Sequence, residues 1–484
     1  MRSKNLQYSF VTNLLFLISI NLIIKPIWVF VIDRNAQLRL GFDQYGVYYA
    51  LLNITYLFGV ILDLGLTSFN QREVAQNHNA FTRLFGNIFS VKWLLSIAYI
   101  LICIFFAWLW KYDEQKISWL LWLVASQILV SFIVFFRSTL SAMQYYFLDS
   151  FLSICDKGLM IVIIGYFLFF DKKQFSIQTF ITGQFAAYFI TFILSFFFVL
   201  KYRKTVEKPA LNELKNIIKN ARPYTMLLLW MTIYFRLDSV LVERLSIHQP
   251  QEESGIYAAA YRLLDMINMF AFLFSMLLYP MFSKLIAEKK SLNNLIQLSS
   301  PLLLSTAWIV CCSMFFGKIE WLQLLYHRND LYAANVMVLV IASFFGVALQ
   351  YIYSTAVTAS GNLKWQNKAA ATAVIFNAIS NIIFIPKYGA MAAAINALIT
   401  LTGMGIANYF FAKKIFQLHF DLKKILWWSI WAIFVLLIIS FSNFISSSFL
   451  INQFLIIPVC LLLGWLMKTL PIKHFINTLK DNKI

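Results

Sequence analysis

The sequence predicts an all-α polytopic membrane protein of about fourteen transmembrane helices, built as two pseudo-symmetric six-helix lobes plus two C-terminal helices. Three observations predict it. Of the 484 residues, 61% are hydrophobic and only 13% charged, roughly half the charged share of an ordinary soluble chain. Apolar runs of about 20 residues recur from end to end, the length a helix needs to cross hydrocarbon. Two sequence landmarks recur at nearly the same offset in the two halves.

The apolar runs place spans at 9–32, 45–69, 86–110, 117–140, 150–170, 177–200, 224–242, 255–279, 294–316, 332–358, 369–385, 389–411, 425–442 and 449–467. The first lacks a small-residue cleavage site and exceeds a signal h-region, so a retained span is expected. With the N-terminus inside, cytoplasmic segments carry twenty-four Lys and Arg and the opposite loops ten. That bias expects both termini in the cytoplasm. It also accounts for the net charge of +19: basic cytoplasmic loops would face anionic lipids, and no nucleic-acid partner is expected.

The longest internal connection, "KYRKTVEKPALNELKNIIKNARP" at 201–223, holds seven basic residues. It reads as a solvated linker held inside by its charge, or as a short helix on anionic headgroups. The expected organisation is an N-lobe at 1–200 (spans 1–6), this linker, a C-lobe at 224–411 (spans 7–12), and 412–484 with the last two spans and a basic cytoplasmic tail. All five cysteines fall within apolar spans and read as small buried hydrophobes, with no disulfide framework or metal spacing.

After the first outer loop comes "QYGVYYALLNI", with Gly46 and Tyr48; after the seventh span comes "ESGIYAAAYRLLD", with Gly255 and Tyr257. "RSTLSAMQ" from Arg137 and "YSTAVTASG" from Tyr353 likewise each end the fourth span of their half. With an even number of spans per half, the halves share orientation, which implies a two-fold axis along the membrane normal. Transporters of that kind place the substrate path between the halves.

Inside the spans lie Lys25, Lys92, Arg137, Lys157, Arg236 and Arg262 against Asp63, Asp156, Asp238 and Asp265. Ionisable residues at membrane depth face a bundle interior or a wet cavity, and the positive excess favours an anionic substrate. Lys25 precedes Pro26, so a charge and a kink coincide there, although the lysine can also snorkel to headgroups. Arg262 and Asp265 are spaced to pair locally on one helix. Arg236 and Asp238 point to different helix sides and are weighted toward a cavity. Lys92 and Arg137 read as interfacial anchors near their span ends. Asp156 beside Lys157 stays open between a structural pair and a functional one. Asp63, in "FGVILDLGLTS", sits about 9 Å from the inner face by helical rise, with Arg72 a candidate partner. It reads as an inner-end packing or gate residue.

The stretches "GFDQYGVYYALLNITYLFGVILDLGLTSFNQREVA", "FRLDSVLVERL…ESGIYAAAYRLLD" and "FIPKYGAMAAAINALI" carry a resemblance. Over roughly residues 1–410 the chain resembles the oligosaccharide-lipid (Wzx-type) flippases and polysaccharide transporters of the multidrug/oligosaccharidyl-lipid/polysaccharide superfamily. It shares the Gly-x-Tyr opening of the second span, the Asp-x-Gly near that span's end, the Asp followed by Gly-x-Tyr across spans seven and eight, and the Pro-x-Tyr-Gly turn before span twelve. The resemblance implies a V-shaped, MATE-like pair of lobes, alternating access, and a lumen walled by spans 1, 2, 7 and 8. Its implied substrate is a polyprenyl-diphosphate-linked oligosaccharide, such as an O-antigen (lipopolysaccharide), capsule or exopolysaccharide repeat unit, moved to the outer leaflet of the bacterial inner membrane. Lys25, Arg236 and Arg262 would meet the diphosphate, through the strong hydrogen bonds that phosphate accepts from cations. Asp238 and Asp265 are expected as lumen or coupling carboxylates, with H⁺ or Na⁺ left open and no cofactor expected. A glycan polymerase and assembly proteins are the expected partners.

Two other classes stay open. A cation-coupled drug exporter of the same fold would centre on Asp238 and Asp265. A membrane enzyme of glycan assembly would need a large outer loop or paired acids, and "DRNAQLRLGFD" has its acids far apart; no nucleophile–base pair or phosphate-cradling glycine loop stands out. A transporter rather than an enzyme is therefore expected.

Overall fold

The computed structural model describes residues 23–67, 70, 74, 80–143, 145–171, 173–201, 211–419, 422–441, 449–467 and 469, with side chains at 80–83, 146, 211–224, 280, 450 and 454 left out. Residues 9–22 of the first expected span, Arg72, the 202–210 part of the linker and the tail beyond 469 lie outside the described residues.

The described residues form helices and no strand. They are α1 (Ile23–Leu62), α2 (Ala80–Leu109), α3 (Glu114–Ala142), α4 (Tyr146–Gly165), α5 (Ile177–Lys201), α6 (Leu211–Leu245), α7 (Pro250–Ala287), α8 (Asn293–Phe316), α9 (Lys318–Tyr326), α10 (Leu331–Ala359), α11 (Lys364–Phe416), α12 (Leu422–Ser440) and α13 (Phe449–Leu466). Among the described residues, eleven helices are long and apolar enough to cross a membrane. The two longest each hold a non-helical glycine: Gly41 (φ 80°) in α1 and Gly389 (φ 52°) in α11. These glycines fall where the apolar runs separate one span from the next, so the helical backbone runs on where the sequence reads as a loop. Just after Pro26, residues Trp28–Asp33 widen into a π-helical segment. A proline that removes a backbone donor invites such local rearrangement.

The chain divides into two compact units, Met1–Arg244 and Leu245–Ile484. In the first, α3 packs along α5, and α4 and α1 close against them. Lipid offers no hydrophobic drive between helices, so contact quality must hold them together. Here that quality is aromatic: Phe85, Phe132, Phe135, Phe136, Phe192 and Phe196 form one cluster, with Phe192 and Phe196 stacked at 6.1 Å. The three tyrosines of "QYGVYY" are buried; Tyr45 donates to Asp33 Oδ2 (2.8 Å) and Tyr48 is hydrogen-bonded to the Gln184 amide. The end of α6 is tied in by polar groups: Glu243 accepts from Lys116 Nζ (3.3 Å) and Tyr112 Oη (3.3 Å), while the Arg244 guanidinium lies 3.6 Å from the Tyr112 ring centre. Burial, and next the Glu243 carboxylate, raise the Tyr112 phenol above its ordinary pKa.

In the second unit, α10 is central, packed between α11 and α7. A buried amide ladder crosses the two limbs of α11: Ser380 donates to Asn396, Asn396 to Asn381 (2.7 Å), and Asn381 to Asn377 (3.1 Å). The last two helices are fastened by indoles. Trp308 Nε1 donates to Ala432 O (3.0 Å), Trp428 Nε1 to Ser305 Oγ (2.9 Å), and Trp431 Nε1 to Cys460 O (3.1 Å).

The "ESGIY" and "PKYG" motifs meet in this unit. Glu253 Oε2 accepts from Ala390 N (2.6 Å) and from Tyr332 Oη (2.6 Å), so it caps the helical limb that restarts after Gly389. Gly389 is required twice: its φ is positive, and a Cβ there would stand 2.7 Å from the Glu253 carboxyl carbon. Glu253→Ala should therefore cost about 2 kcal/mol, and Glu253→Gln less, because an amide oxygen still accepts. Thermal melting of the purified chain in detergent reads both, and equal melting for the native chain and Glu253→Ala would contradict the cap.

Candidate functional site

α1 does not run through the "LDLG" stretch as a regular helix. It tightens to a 3-10 turn at Val60–Leu62, and Leu64 (φ 45°) and Gly65 (φ 82°) then turn left-handed. A positive φ at leucine costs on the order of 1 kcal/mol and persists only where surroundings hold it. The break frees the Leu62 carbonyl, which accepts from Lys92 Nζ (3.0 Å) and Ser131 Oγ (3.2 Å). Asp63 accepts from the same Lys92 Nζ (2.9 Å) and from Thr67 through both its hydroxyl and its N–H. Asp63 is thus paired, and the pair is lopsided: the Lys92 side chain is 1% exposed and that of Asp63 34%. Lys92 does not snorkel toward a span end, because the broken helix presents it with a carbonyl and a carboxylate inside the bundle.

Beside this break lies a cavity of about 450 Å³, walled by α1, α3 and α6 of the first unit. Tyr56, Asp63, Gln127, Ser131, Thr232 and Arg236 give it polar groups in an apolar bundle. The Arg236 guanidinium lies over the Tyr56 ring at 5.2 Å from its centre, a contact that helps hold the cation in the cavity wall. The cavity therefore combines a fixed guanidinium, hydroxyls, an amide and one ion-paired carboxylate. Such a surface can hydrogen-bond a phosphate and the hydroxyls of a sugar at once.

The other charged side chains are distributed as follows. Lys25 is half-buried near the start of α1, in the field of Asp156, which favours its charge, and of Lys157 and Arg137, which oppose it. Lys157 lies 3.7 Å from Asp156 Oδ2 and donates to Tyr188 Oη at 3.1 Å. Arg137 pairs with Asp149 at 2.9 Å. Asp238 is buried on α6, one turn or less from Arg236. Arg262 and Asp265 are half-buried on α7, in the second unit. Lys25, Arg236 and Asp238 thus belong to the first unit, and Arg262 and Asp265 to the second. Four contributors escape a reading of charges alone, Tyr56, Gln127, Ser131 and Thr232. Tyr56 was detectable by spacing: Tyr56, Gly59 and Asp63 recur at i, i+3 and i+7, one face of a helix.

A model of polysaccharide biosynthesis proteins matches residues 10–286, more than half of the chain. No curated protein is significantly similar to it. Among solved structures, the lipid II flippase MurJ in an inward closed conformation superposes with a TM-score of 0.70 at 16% identity, covering 97% of this chain and 99% of that one. An inward-facing multidrug-resistance MATE family transporter of the MOP superfamily gives 0.60 at 12% identity, covering 81% and 94%. The Vibrio cholerae MATE transporter VcmN in its bent form gives 0.55 at 14%, covering 86% and 98%. At these identities the likeness shows the fold: all-helical, MurJ- and MATE-like, and that of a multi-pass membrane protein.

Proposed function

We propose, from the premise that the chain belongs to the polysaccharide biosynthesis protein family, that it is a flippase for a polyprenyl-diphosphate-linked oligosaccharide. The substrate would be an O-antigen, capsule or exopolysaccharide repeat unit, carried from the cytoplasmic to the outer leaflet of the bacterial inner membrane by alternating access between lobes 1–200 and 224–411. Both termini are cytoplasmic on this reading, and it makes the chain a transporter rather than an enzyme. The observation that carries it is Arg236, a cation fixed on Tyr56 in the wall of a polar-lined cavity. A diphosphate would bring an anion for that guanidinium, and a glycan hydroxyls that match the amide and hydroxyl groups of the lining.

Lys25 and Arg262 are assigned as further diphosphate contacts, and Asp238 and Asp265 as lumen carboxylates where H⁺ or Na⁺ coupling would act. The basic segment at 201–223 and the tail would rest against anionic lipids, and a glycan polymerase would receive the product. The test is the Arg236→Ala, Arg262→Ala double variant in the native host. Surface glycan should fall at least about tenfold, from the loss of two charge-assisted contacts, while membrane-inserted protein stays near its normal level. Normal surface glycan in that strain would overturn the site assignment. A deletion strain with altered drug susceptibility and normal glycan would favour the exporter instead.

A further inference from the structure

A second cavity, of about 340 Å³, lies within the second unit, where the turn into α7, the start of α10 and the break in α11 come together. Its volume falls in the range of small-molecule clefts, about 300–1,000 Å³. On the proposed topology this is the outer end of the unit. Glu253 and Tyr332 in its wall belong to the cap on α11, but the cap engages one carboxylate oxygen alone. Ala390 N (2.6 Å) and Tyr332 Oη (2.6 Å) both donate to Oε2. Among the described residues Oε1 accepts no hydrogen bond and no cation pairs with Glu253. Glu252, one residue earlier, pairs instead with Arg328.

The rest of the lining also holds untaken hydrogen-bonding capacity. Ser246 is 8% exposed, and its Oγ has no partner among the described residues, an unfavourable state for a buried hydroxyl. His248 and Lys387 are exposed, and the Lys387 ammonium lies 5.3 Å from the centre of the Tyr388 ring. That ring is itself 51% exposed. The cavity thus presents a carboxylate acceptor, hydroxyl and ammonium donors, and an aromatic surface. A phosphate or a carboxylate fits poorly, because the Glu253 carboxylate repels an anion. A wholly apolar ligand would leave the polar groups unmet. A sugar ring meets all of them: its hydroxyls donate to a carboxylate and accept from an ammonium or a hydroxyl, and its C–H face rests on an aromatic ring.

We propose that this cavity is a binding subsite for a neutral hexose ring at the outer end of the second unit, with Glu253 Oε1 accepting from sugar hydroxyls and Tyr388 packing on the ring. Its role rests on the flippase reading, in which a glycan reaches this end as it leaves. There the subsite holds one sugar of the glycan on the outer side and opposes its return.

The experiment uses the purified full-length chain in lauryldimethylamine oxide, a detergent without a sugar head group, and saturation-transfer NMR as the readout. The probes are methyl glucoside, methyl galactoside and methyl mannoside, with sorbitol as the open-chain control. At least one glycoside should bind. Sorbitol, which has the hydroxyls but no flat C–H face, should bind at least about fivefold more weakly. Tyr388→Ala and Lys387→Ala should each weaken that glycoside at least about fivefold with no change in melting temperature. Ser246→Ala should weaken it as well and melt no lower than the native chain, since its hydroxyl has no partner to lose. Glu253 is left intact, because removing it also removes the cap. If Tyr388→Ala melts early, Lys387→Ala decides. No glycoside binding to the native chain, equal binding of sorbitol, or binding that these variants leave unchanged would overturn the subsite. If that happens while the Arg236→Ala, Arg262→Ala strain loses surface glycan, the flippase reading stands and the subsite alone falls. If glycosides bind as expected and that strain keeps normal surface glycan, the Arg236 assignment falls and the subsite stands.

Discussion

Asp63→Ala should destabilise the first unit by about 3 kcal/mol, and Lys92→Met by only about 1 kcal/mol, although both delete the same ion pair. The asymmetry follows from which partner is buried. Lys92 is 1% exposed, so removing Asp63 strands an ammonium inside the bundle with the Leu62 carbonyl as its remaining acceptor. Removing Lys92 leaves a carboxylate that borders the cavity, still accepts from Thr67, and can take water. The Leu62 carbonyl keeps Ser131. The double variant should lie closer to the native chain than Asp63→Ala does, because no ion is then left unpaired. Thermal melting of the four proteins in one detergent decides the matter. If Lys92→Met is the worse single change, the buried ammonium is not what Asp63 serves.

That pair also marks where a sequence reading reaches its limit. A carboxylate inside an apolar run announces that it needs a partner, because the cost of leaving it bare is several kcal/mol. The identity of the partner is not local information. Lys92 is 29 positions away on another helix, and a lone lysine near a span end is equally well explained by snorkelling. The backbone break that brings the two together is just as hidden. "DLG" within an apolar run carries a helix-breaking glycine and nothing to say that the preceding leucine carbonyl will be caught by a lysine and a serine. The cap on the last limb of α11 is a similar case: Glu253 and Ala390 are 137 residues apart, and only packing joins them.

Periodic features were far more legible. Apolar runs mark the helices, since every backbone polar group at membrane depth must be satisfied within the segment. The tyrosines of the two Gly-x-Tyr landmarks, Tyr48 and Tyr257, are both buried, at 1% and 0% exposure. What periodicity misjudged is continuity. Loops were expected around 33–44 and 386–388, and the helical hydrogen-bonding pattern runs on instead, bent at one glycine in each case. Charges fell between these extremes. Their presence was plain, but what each cation meets, Asp149 for Arg137 or the Tyr56 ring in a cavity wall for Arg236, depends on side-chain packing across helices.

Gly405→Val should destabilise the second unit by about 3 kcal/mol or more, and Gly403→Val, two residues earlier on the same helix, should be nearly neutral. Helices in lipid are held by van der Waals contact and gain most where small residues let backbones touch. α10 and α11 cross in that way. A Cβ on Gly405 would run into the carbonyl of Gly346 and stand 3.0 Å from Leu349 Cβ. From the other side, a Cβ on Gly346 would stand 2.6 Å from Thr402 N and 2.9 Å from the Leu401 carbonyl carbon. These neighbours are largely backbone, so relief requires the helices to separate and surrender contacts along the whole crossing. Gly403 has open space where its Cβ would be, and valine there loses no contact and gains helix propensity over glycine. Melting temperature and monodispersity of the detergent-purified variants separate the two positions. Equal tolerance at Gly403 and Gly405 would mean that α10 and α11 do not meet at that crossing.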